Sequence, residues 1–240
     1  QVYTAKTGLI AHINKQKQPG LSLGFVPTMG ALHQGHLSLV KAALSMNEYV
    51  VVSIFINPTQ FNNPNDLIHY PRTLDKDVSL LKTLSKDSIV VYAPSSEDLY
   101  GPQIKTDCFD FDGLDLEMEG SSRPGHFDGV GTVVKRLFEI VRPDNAYFGE
   151  KDFQQLQIIR KMVQKNQLPV SVIECPTLRE ENGLAMSSRN QLLSEKEKKE
   201  GAVIYEILNE VKIFHKLDHP NILKFHTWYE TRNHIWVIEE

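Results

Sequence analysis

The chain has 240 residues, of which 41% are hydrophobic and 23% charged, the composition of an ordinary globular protein. Its formal net charge of −4 excludes the broad cationic field of a nucleic-acid or membrane-surface protein. No apolar run approaches the ~18 residues needed to cross a bilayer, so we expect neither a nucleic acid nor a membrane as partner.

Short apolar runs alternate along the chain with segments of helical spacing. The predicted strands, continuous in apolar or β-branched side chains, are residues 21–26, 49–56, 89–92, 146–148 and 170–174. The predicted helices are residues 36–46, 74–84, 130–141 and 152–164. This alternation predicts an α/β fold with a doubly wound parallel sheet. In such a sheet, ligands bind beyond the carboxyl ends of the strands.

The segment after the first strand, residues 27–36, contains a glycine turn and then the start of a helix. Helix N-terminal amides and the helix dipole favour a phosphate at such a place. His33 and His36 flank Gly35 and could both donate hydrogen bonds to that phosphate, and protonation would add charge stabilisation. Spacing alone leaves two alternatives open, because the two histidines could bind a metal or cap the helix.

Five further blocks follow in chain order. They are residues 55–61, 70–73, 125–130, 149–155 and 186–190. The His-x-Gly-His segment resembles the signature of the adenylyl-transferring α/β superfamily. Together with the five blocks, residues 1–208 resemble the pantothenate synthetase (pantoate–β-alanine ligase) family. The resemblance implies a Rossmann-like domain over residues 1–176 that binds nucleotide and pantoate, and a small carboxyl-terminal domain over residues 177–240.

The family's reaction is implied by this resemblance. ATP and pantoate form pantoyl adenylate and pyrophosphate, and β-alanine then attacks the adenylate to give pantothenate and AMP. Adenylation supplies a good leaving group, which a bare carboxylate lacks, and the mixed anhydride must be shielded from water. The resemblance also implies Mg²⁺ as cofactor and a homodimer.

The same resemblance assigns site residues by their place in the matching blocks. The implied catalytic residues are His33, His36, Lys151 and Arg189. The implied ATP-binding residues are Met29, Gly30, Ala31, Leu32, His33, Gln34, Gly35, His36, Gly149, Glu150, Lys151, Asp152, Leu178, Met186, Ser187, Ser188 and Arg189. The implied pantoate-binding residues are Gln60 and Gln155, whose amides can donate to a carboxylate without protonating it. Asn57 and Phe55 are expected to shape the same pocket, and His126 is either part of it or structural.

Magnesium would bridge phosphate oxygens and neutralise the departing pyrophosphate. Asp75 and Asp77 follow the Tyr-Pro-Arg-Thr block and could contact the ion directly or through water. They could equally be first-turn carboxylates that the helix dipole favours.

The family pattern ends near residue 208. Residues 209–240 resemble part of a protein-kinase small lobe, but the chain lacks the Gly-rich loop, His-Arg-Asp and Asp-Phe-Gly motifs of kinases, so no kinase activity is expected. The domain over residues 177–240 is therefore predicted to be a partial lid that ends in a foreign helix and hairpin. Two alternatives to an active ligase stay open: a nucleotide-binding remnant with weak or no ligase activity, and an interaction protein that docks through this tail.

The cysteines, Cys108 and Cys175, have neither the number nor the spacing of a disulfide framework or zinc site. We expect both to be reduced, buried thiols, in keeping with a cytoplasmic protein. A targeting peptide upstream of Gln1 would not be visible.

Overall fold

The computed structural model describes residues 1–16, 20–214, 225–230 and 235–239, with side chains through residue 207. The chain divides into two units, Gln1–Thr177 and Leu178–Glu240, and each is described by itself.

The elements are numbered in chain order. The strands are β1 (Val2–Tyr3), β2 (Leu23–Thr28), β3 (Tyr49–Ile54), β4 (Ile89–Tyr92), β5 (Asn145–Gly149), β6 (Ser171–Cys175), β7 (Phe225–Glu230) and β8 (Ile235–Glu239). The helices are α1 (Lys6–Gln16), α2 (Gln34–Met46), α3 (Pro64–His69), α4 (Leu74–Lys82), α5 (Ser96–Tyr100), α6 (Met118–Ser122), α7 (His126–Val141), α8 (Phe153–Lys165) and α9 (Glu195–Phe214). Short 3₁₀ turns lie at Pro58–Gln60, Glu150–Asp152 and Ser188–Leu192.

The first unit is built on a parallel sheet of six strands in the order β1-β4-β3-β2-β5-β6. The chain moves outward from β2 through β3 to β4, and then starts again on the other side of β2 with β5 and β6. The winding direction therefore reverses between β2 and β5. The predicted α/β fold with a doubly wound parallel sheet is confirmed, and its ligand crevice is expected at this reversal.

Alternating strand residues supply the cores on the two faces of the sheet. Phe25 and Phe148 pack in one core with the apolar side of α7 and α8, whereas Val26 and Tyr147 pack in the other with α2 and Leu81 of α4. Both faces of the sheet are thus covered, which explains why these strands are continuous in apolar residues. Polar loops follow the strands at their carboxyl ends.

The predicted elements of this unit are all present, with boundaries shifted by a few residues. β1 and α1 were not predicted: β1 has only two residues, paired with Val91 and Tyr92 of β4, and is too short to carry a pattern. The expectation of two buried cysteines is confirmed for one of them and wrong for the other. Cys175 is buried at the end of β6, whereas Cys108 is exposed on the segment before α6.

The second unit begins with a short turn closed by the Arg179–Ala185 bridge. Gly183 in this turn has φ +89°, and a Cβ there would lie 2.5 Å from the Tyr205 ring, so glycine is required. The guanidinium of Arg179 lies 4.1 Å from the centre of the same ring. Ser194 caps α9 as predicted, since its Oγ accepts the amide of Glu197 at 3.3 Å.

Strands β7 and β8 form an antiparallel pair within the predicted foreign tail. Residues 215–224 and 231–234, which hold much of the kinase-like stretch, lie outside the described residues, so that resemblance stays a prediction. Among the helices that the structure describes, none is long and apolar enough to span a membrane.

Candidate active site

The winding reversal brings the ends of β2 and β5 together. The segment after β2 holds His33 and His36 at the start of α2, and the segment after β5 holds Lys151. Strand β3, the other neighbour of β2, leads into the 3₁₀ turn that carries Gln60. The fold thus brings four sequence-predicted residues to one crevice, because parallel neighbours end at the same edge of the sheet.

The two histidines form a reciprocal cap on α2. His33 is the N-cap residue, and its Nδ1 accepts the amide of Gly35 at 3.1 Å, while His36 Nδ1 accepts the amide of His33 at 3.3 Å. An Nδ1 that accepts a backbone N–H cannot carry the proton of a neutral imidazole, so the Nε2 atom of each ring carries it. The capping alternative raised by the sequence is therefore realised, and it orients both rings.

The His36 imidazole is neutral. Burial is the main cause that lowers its pKa from 6.5 to about 3, and the nearby His33 and Lys151 lower it further. A neutral His36 donates through Nε2–H, and this lowered pKa does not support the expected charge stabilisation by a protonated His36.

The backbone amides of this segment are largely used within the protein. The amide of Gly30 donates to Thr28 Oγ1 at 3.2 Å, and those of Ala31 and Leu32 donate to Asp77. The amides that the sequence favoured as phosphate donors are those at the start of α2, further along the chain.

Asp77 lies in the first turn of α4, with 1% of its surface exposed. Its Oδ1 accepts the amide of Leu32 at 2.8 Å, its Oδ2 accepts that of Ala31 at 3.0 Å, and the Thr73 hydroxyl lies within 3.3 Å of both oxygens. Direct coordination of a metal by Asp77 conflicts with this geometry, because the carboxylate is enclosed and each of its oxygens already accepts a backbone amide. Asp75, two residues earlier on the same helix, is exposed.

Among the side chains that the structure describes, no three His, Cys, Asp or Glu residues form a cluster that could hold a metal ion. Mg²⁺ commonly binds one or two carboxylates together with water and substrate phosphates, so a full protein cage is not needed. The exposed carboxylate of Asp75 fits such a site.

The side chain of Gln60 has a fixed orientation. The buried Asn57 donates from Nδ2 to Gln60 Oε1 at 3.1 Å, and its own Oδ1 accepts the Tyr100 hydroxyl at 2.6 Å. Because the Gln60 oxygen is an acceptor in this chain of bonds, its NH₂ group is left as the donor, and it points at Met29 Sδ at 3.1 Å. Tyr100 was missed in the sequence, since it lies outside all five blocks.

The backbone of Gln60 is held as well. Its carbonyl oxygen accepts His126 Nδ1 at 2.8 Å and Arg123 Nη2 at 2.9 Å. A Cβ on Gly129 would lie only 2.4 Å from the Thr59 carbonyl oxygen, so α7 and the 3₁₀ turn approach as closely as glycine allows. The block at residues 125–130 therefore supports Gln60, which favours a structural role for His126.

Of the adjacent glutamines on α8, Gln154 is buried and Gln155 half-buried. The Gln154 amide donates to the carbonyl oxygens of Leu114 and Glu117, each at 2.7 Å, and accepts the amide of Glu119 at 3.0 Å. Gln154 thus anchors the segment before α6. Gln155, chosen from the sequence, is left for a ligand role.

The remaining predicted residues divide between the two units. Lys151 is paired with Asp152 at 3.0 Å on the turn after β5, next to Gly149 and Glu150. Leu178, Met186, Ser187, Ser188 and Arg189 belong to the second unit. There Ser187 Oγ accepts the Arg189 amide at 3.3 Å, and the exposed Arg189 lies in the 3₁₀ turn that begins at Ser188. Their meeting with the first-unit residues stays a prediction.

The first unit has a doubly wound parallel sheet, and two histidines that cap α2 and a lysine follow the strands at its winding reversal. These features define a nucleotide-binding α/β protein. A family model described as pantoate-beta-alanine ligase matches residues 1–235 of the chain. The chain belongs to this family.

Comparisons with individual relatives support this family assignment. A pantothenate synthetase of Christiangramia forsetii is 58% identical over 208 residues, which cover 87% of this chain and 73% of that protein. A pantoate--beta-alanine ligase of Schizosaccharomyces pombe is 49% identical over 212 residues, covering 88% and 74%. The crystal structure of pantothenate synthetase from Thermus thermophilus has a TM-score of 0.81 at 44% identity and covers 89% of this chain and 75% of that one.

The ligase from Francisella tularensis, solved in complex with beta-gamma ATP and beta-alanine, has a TM-score of 0.82 at 37% identity. It covers 98% of this chain and 91% of that one. The resemblance read from the sequence is thus confirmed, and the ligase interpretation is supported over a nucleotide-binding remnant.

Proposed function

We propose that the chain joins pantoate to β-alanine with ATP, through a pantoyl-adenylate intermediate. A carboxylate oxygen of pantoate attacks the α-phosphorus of ATP, and the bond to pyrophosphate breaks. The β-alanine amine then attacks the acyl carbon, loses a proton and releases AMP. The observation that carries the proposal is that the histidine pair, Lys151 and the oriented Gln60 amide lie in segments that follow β2, β5 and β3, neighbouring parallel strands that end at one edge of the sheet.

On the phosphate side, His33 and His36 donate through Nε2–H, and the Lys151 ammonium supplies the positive charge. Neutral imidazoles suit this task, because a pre-oriented donor stabilises developing phosphate charge without exchanging a proton with water. The residues 29–36 and 149–152 line the nucleotide in this proposal. The family resemblance also assigns Leu178, Met186, Ser187, Ser188 and Arg189 to the nucleotide, with Arg189 as a planar fork for phosphate oxygens, and this assignment stays a prediction.

On the pantoate side, Gln60 and Gln155 hold the acid. The Gln60 NH₂ group is a donor because Asn57 occupies its oxygen, so it can bind a carboxylate while leaving it ionised and nucleophilic. Mg²⁺ would be held by phosphate oxygens, water and the exposed Asp75, and when bound it neutralises the departing pyrophosphate.

The test is ATP–pyrophosphate exchange, which measures adenylate formation alone. We expect exchange that requires pantoate and Mg²⁺ but not β-alanine. Lys151→Met should lower the exchange rate by about a hundredfold, the scale of one lost electrostatic contact in a transition state. Lys86→Met, which removes an exposed lysine between α4 and β4, is the matched control. Absence of exchange at saturating substrates would refute the proposal.

The assembly and location follow from the family resemblance. We expect a homodimer formed through the first unit, working in the cytoplasm. Sedimentation equilibrium tests the dimer, since a monomer mass at micromolar concentration would contradict it.

A further inference from the structure

Asp77 is one of the most enclosed charged groups in the first unit, with 1% of its surface exposed. It forms no ion pair among the described side chains. A buried carboxylate without a cation is stable only when hydrogen bonds replace its water. Here the replacement comes from the backbone of the turn formed by Gly30, Ala31 and Leu32, called the 30–32 turn below, and from Thr73.

The 30–32 turn has a conformation that needs outside support. Gly30 has φ +85° and Ala31 φ +50°, two consecutive residues in the left-handed region. For Ala31, which has a Cβ, this conformation is strained. Both residues after Gly30 donate their amides to Asp77, whose Oδ2 would also lie 3.1 Å from a Cβ on Gly30. The carboxylate therefore fixes the turn at the place where it is strained.

The 30–32 turn leads directly into the histidine cap. His33 follows Leu32 in the chain and is the N-cap of α2. A rotation of the Ala31 or Leu32 peptide would displace His33, and with it the Gly35 amide that orients its ring. The position of both imidazoles thus depends on a carboxylate 45 residues away from Leu32 in the chain.

We propose that Asp77, held by Thr73, is a positioning residue that sets the imidazole donors for the nucleotide phosphate. The inference rests on the proposed function of the histidine pair. In this proposal Asp77 positions the imidazoles through the 30–32 turn, and it does not act as a ligand of a metal ion. Thr73 donates to both carboxylate oxygens, which keeps them aimed at the two amides.

Two pairs of variants test this role in the full chain. Asp77→Asn keeps the shape of the side chain but replaces one carboxylate oxygen, an acceptor, with an NH₂ group. This donor then faces a backbone N–H. Thr73→Val removes the supporting hydroxyl, and Thr73→Ser restores it. Asp87→Asn, an exposed aspartate beyond α4, is the charge-matched control. Should Asp77→Asn fail to fold, the Thr73 pair carries the test.

The first measurement is hydrogen exchange at the amides of Ala31 and Leu32 without ligand. We expect exchange about tenfold faster or more in Asp77→Asn and Thr73→Val, since both variants weaken the bonds that protect these amides. Thr73→Ser and Asp87→Asn should match the parent chain. Unchanged exchange at both amides in Asp77→Asn would overturn the inference.

The second measurement is calorimetric binding of ATP with Mg²⁺ and of AMP in EDTA. A positioning role predicts about tenfold weaker binding of both nucleotides in Asp77→Asn and Thr73→Val. Weakening that is confined to ATP with Mg²⁺ would assign Asp77 to the metal and reject the inference. If the parent chain binds neither nucleotide, the proposed function fails, while the exchange measurement still decides whether Asp77 holds the turn.

Discussion

The imidazoles of His33 and His36 illustrate how a motif gains its chemistry from local backbone contacts. The sequence contains two histidines three residues apart, and it leaves open whether they bind metal, cap a helix or act as acids. The cap occupies Nδ1 of each ring, and burial holds His36 neutral. The donor on Nε2 follows from these contacts.

The depressed pKa of His36 predicts a contribution to acid lability. Folding lowers this pKa from 6.5 to about 3, so between these pH values the unfolded chain binds a proton that the folded chain does not. Stability is therefore lost as pH falls through this window. His36→Gln should lose less unfolding free energy than the parent chain as the pH falls, and the difference is at most about 3 kcal/mol at pH 4. Urea unfolding from pH 7 to pH 4 measures the difference.

His69→Gln is the control, because His69 is exposed at the end of α3. It should keep the pH dependence of the parent chain. Parallel curves for His36→Gln and the parent would show that His36 protonates as readily in the folded chain as in the unfolded one.

Tyr100 sets the orientation of the Gln60 amide through Asn57. Tyr100→Phe removes the hydroxyl that donates to Asn57 Oδ1 at 2.6 Å, so the Asn57 and Gln60 amides gain freedom to rotate. We expect the KM for pantoate to rise by about tenfold, with a small change in the KM for ATP. Steady-state kinetics with each substrate varied in turn measure this split.

Tyr92→Phe is the matched control. It removes a hydroxyl that donates to Asp98 at 2.6 Å, at the end of β4, and it leaves the hydrogen bonds of Asn57 in place. It should lower stability without a selective change in the KM for pantoate. If the two variants change the KM for pantoate equally, then Tyr100 contributes to folding in general and does not orient Gln60 specifically.

At the scale of elements, helix α7 supports the 3₁₀ turn that carries Gln60. Its first turn contacts the 3₁₀ turn of Gln60 through His126, and Gly129 lets the two backbones meet. The sequence predicted this helix from residue 130 and missed its first turn. Most of the missed residues are polar or glycine, and their role depends on a contact with a distant loop.

Gly129→Ala should separate these two elements. The new Cβ would lie 2.4 Å from a backbone oxygen of Thr59, which cannot move alone, so we expect a loss of about 1–3 kcal/mol and weaker pantoate binding. Gly131→Ala on the same helix gains the same helix propensity, but its Cβ would meet the Phe109 ring at 2.9 Å, a side chain that can shift. Thermal unfolding and pantoate kinetics compare the two.

Either variant can contradict this expectation. If Gly129→Ala proves as stable as Gly131→Ala and binds pantoate normally, then the approach of α7 to the 3₁₀ turn is not needed by the site.

At the scale of the molecule, we expect residues 209–240 to affect the use of the adenylate more than its formation. The family model extends to residue 235, whereas the alignment with the Christiangramia forsetii protein covers 208 residues. We expect that removal of residues 209–240 leaves ATP–pyrophosphate exchange within about threefold, because most of the proposed contacts for this step lie in the first unit. The yield of pantothenate per pyrophosphate should fall if these residues help to shield the adenylate from water.

The ratio of the two products in a single assay measures this coupling. An unchanged ratio would show that residues 209–240 take no part in protecting the intermediate. The appearance of AMP and free pantoate in excess over pantothenate is the expected signature of leakage.

Apolar periodicity and short motifs are local properties of the chain, so the alternation of strands and helices, the parallel sheet and the family could all be predicted from the sequence. The atoms that face the crevice could not. The tautomers of the histidines, the orientation of Gln60 and the enclosure of Asp77 depend on contacts made in the folded chain, such as Leu32 with Asp77, Asn57 with Tyr100 and Gln60 with His126. Hydrogen-bond direction is a property of these pairs, and a single residue type does not encode it.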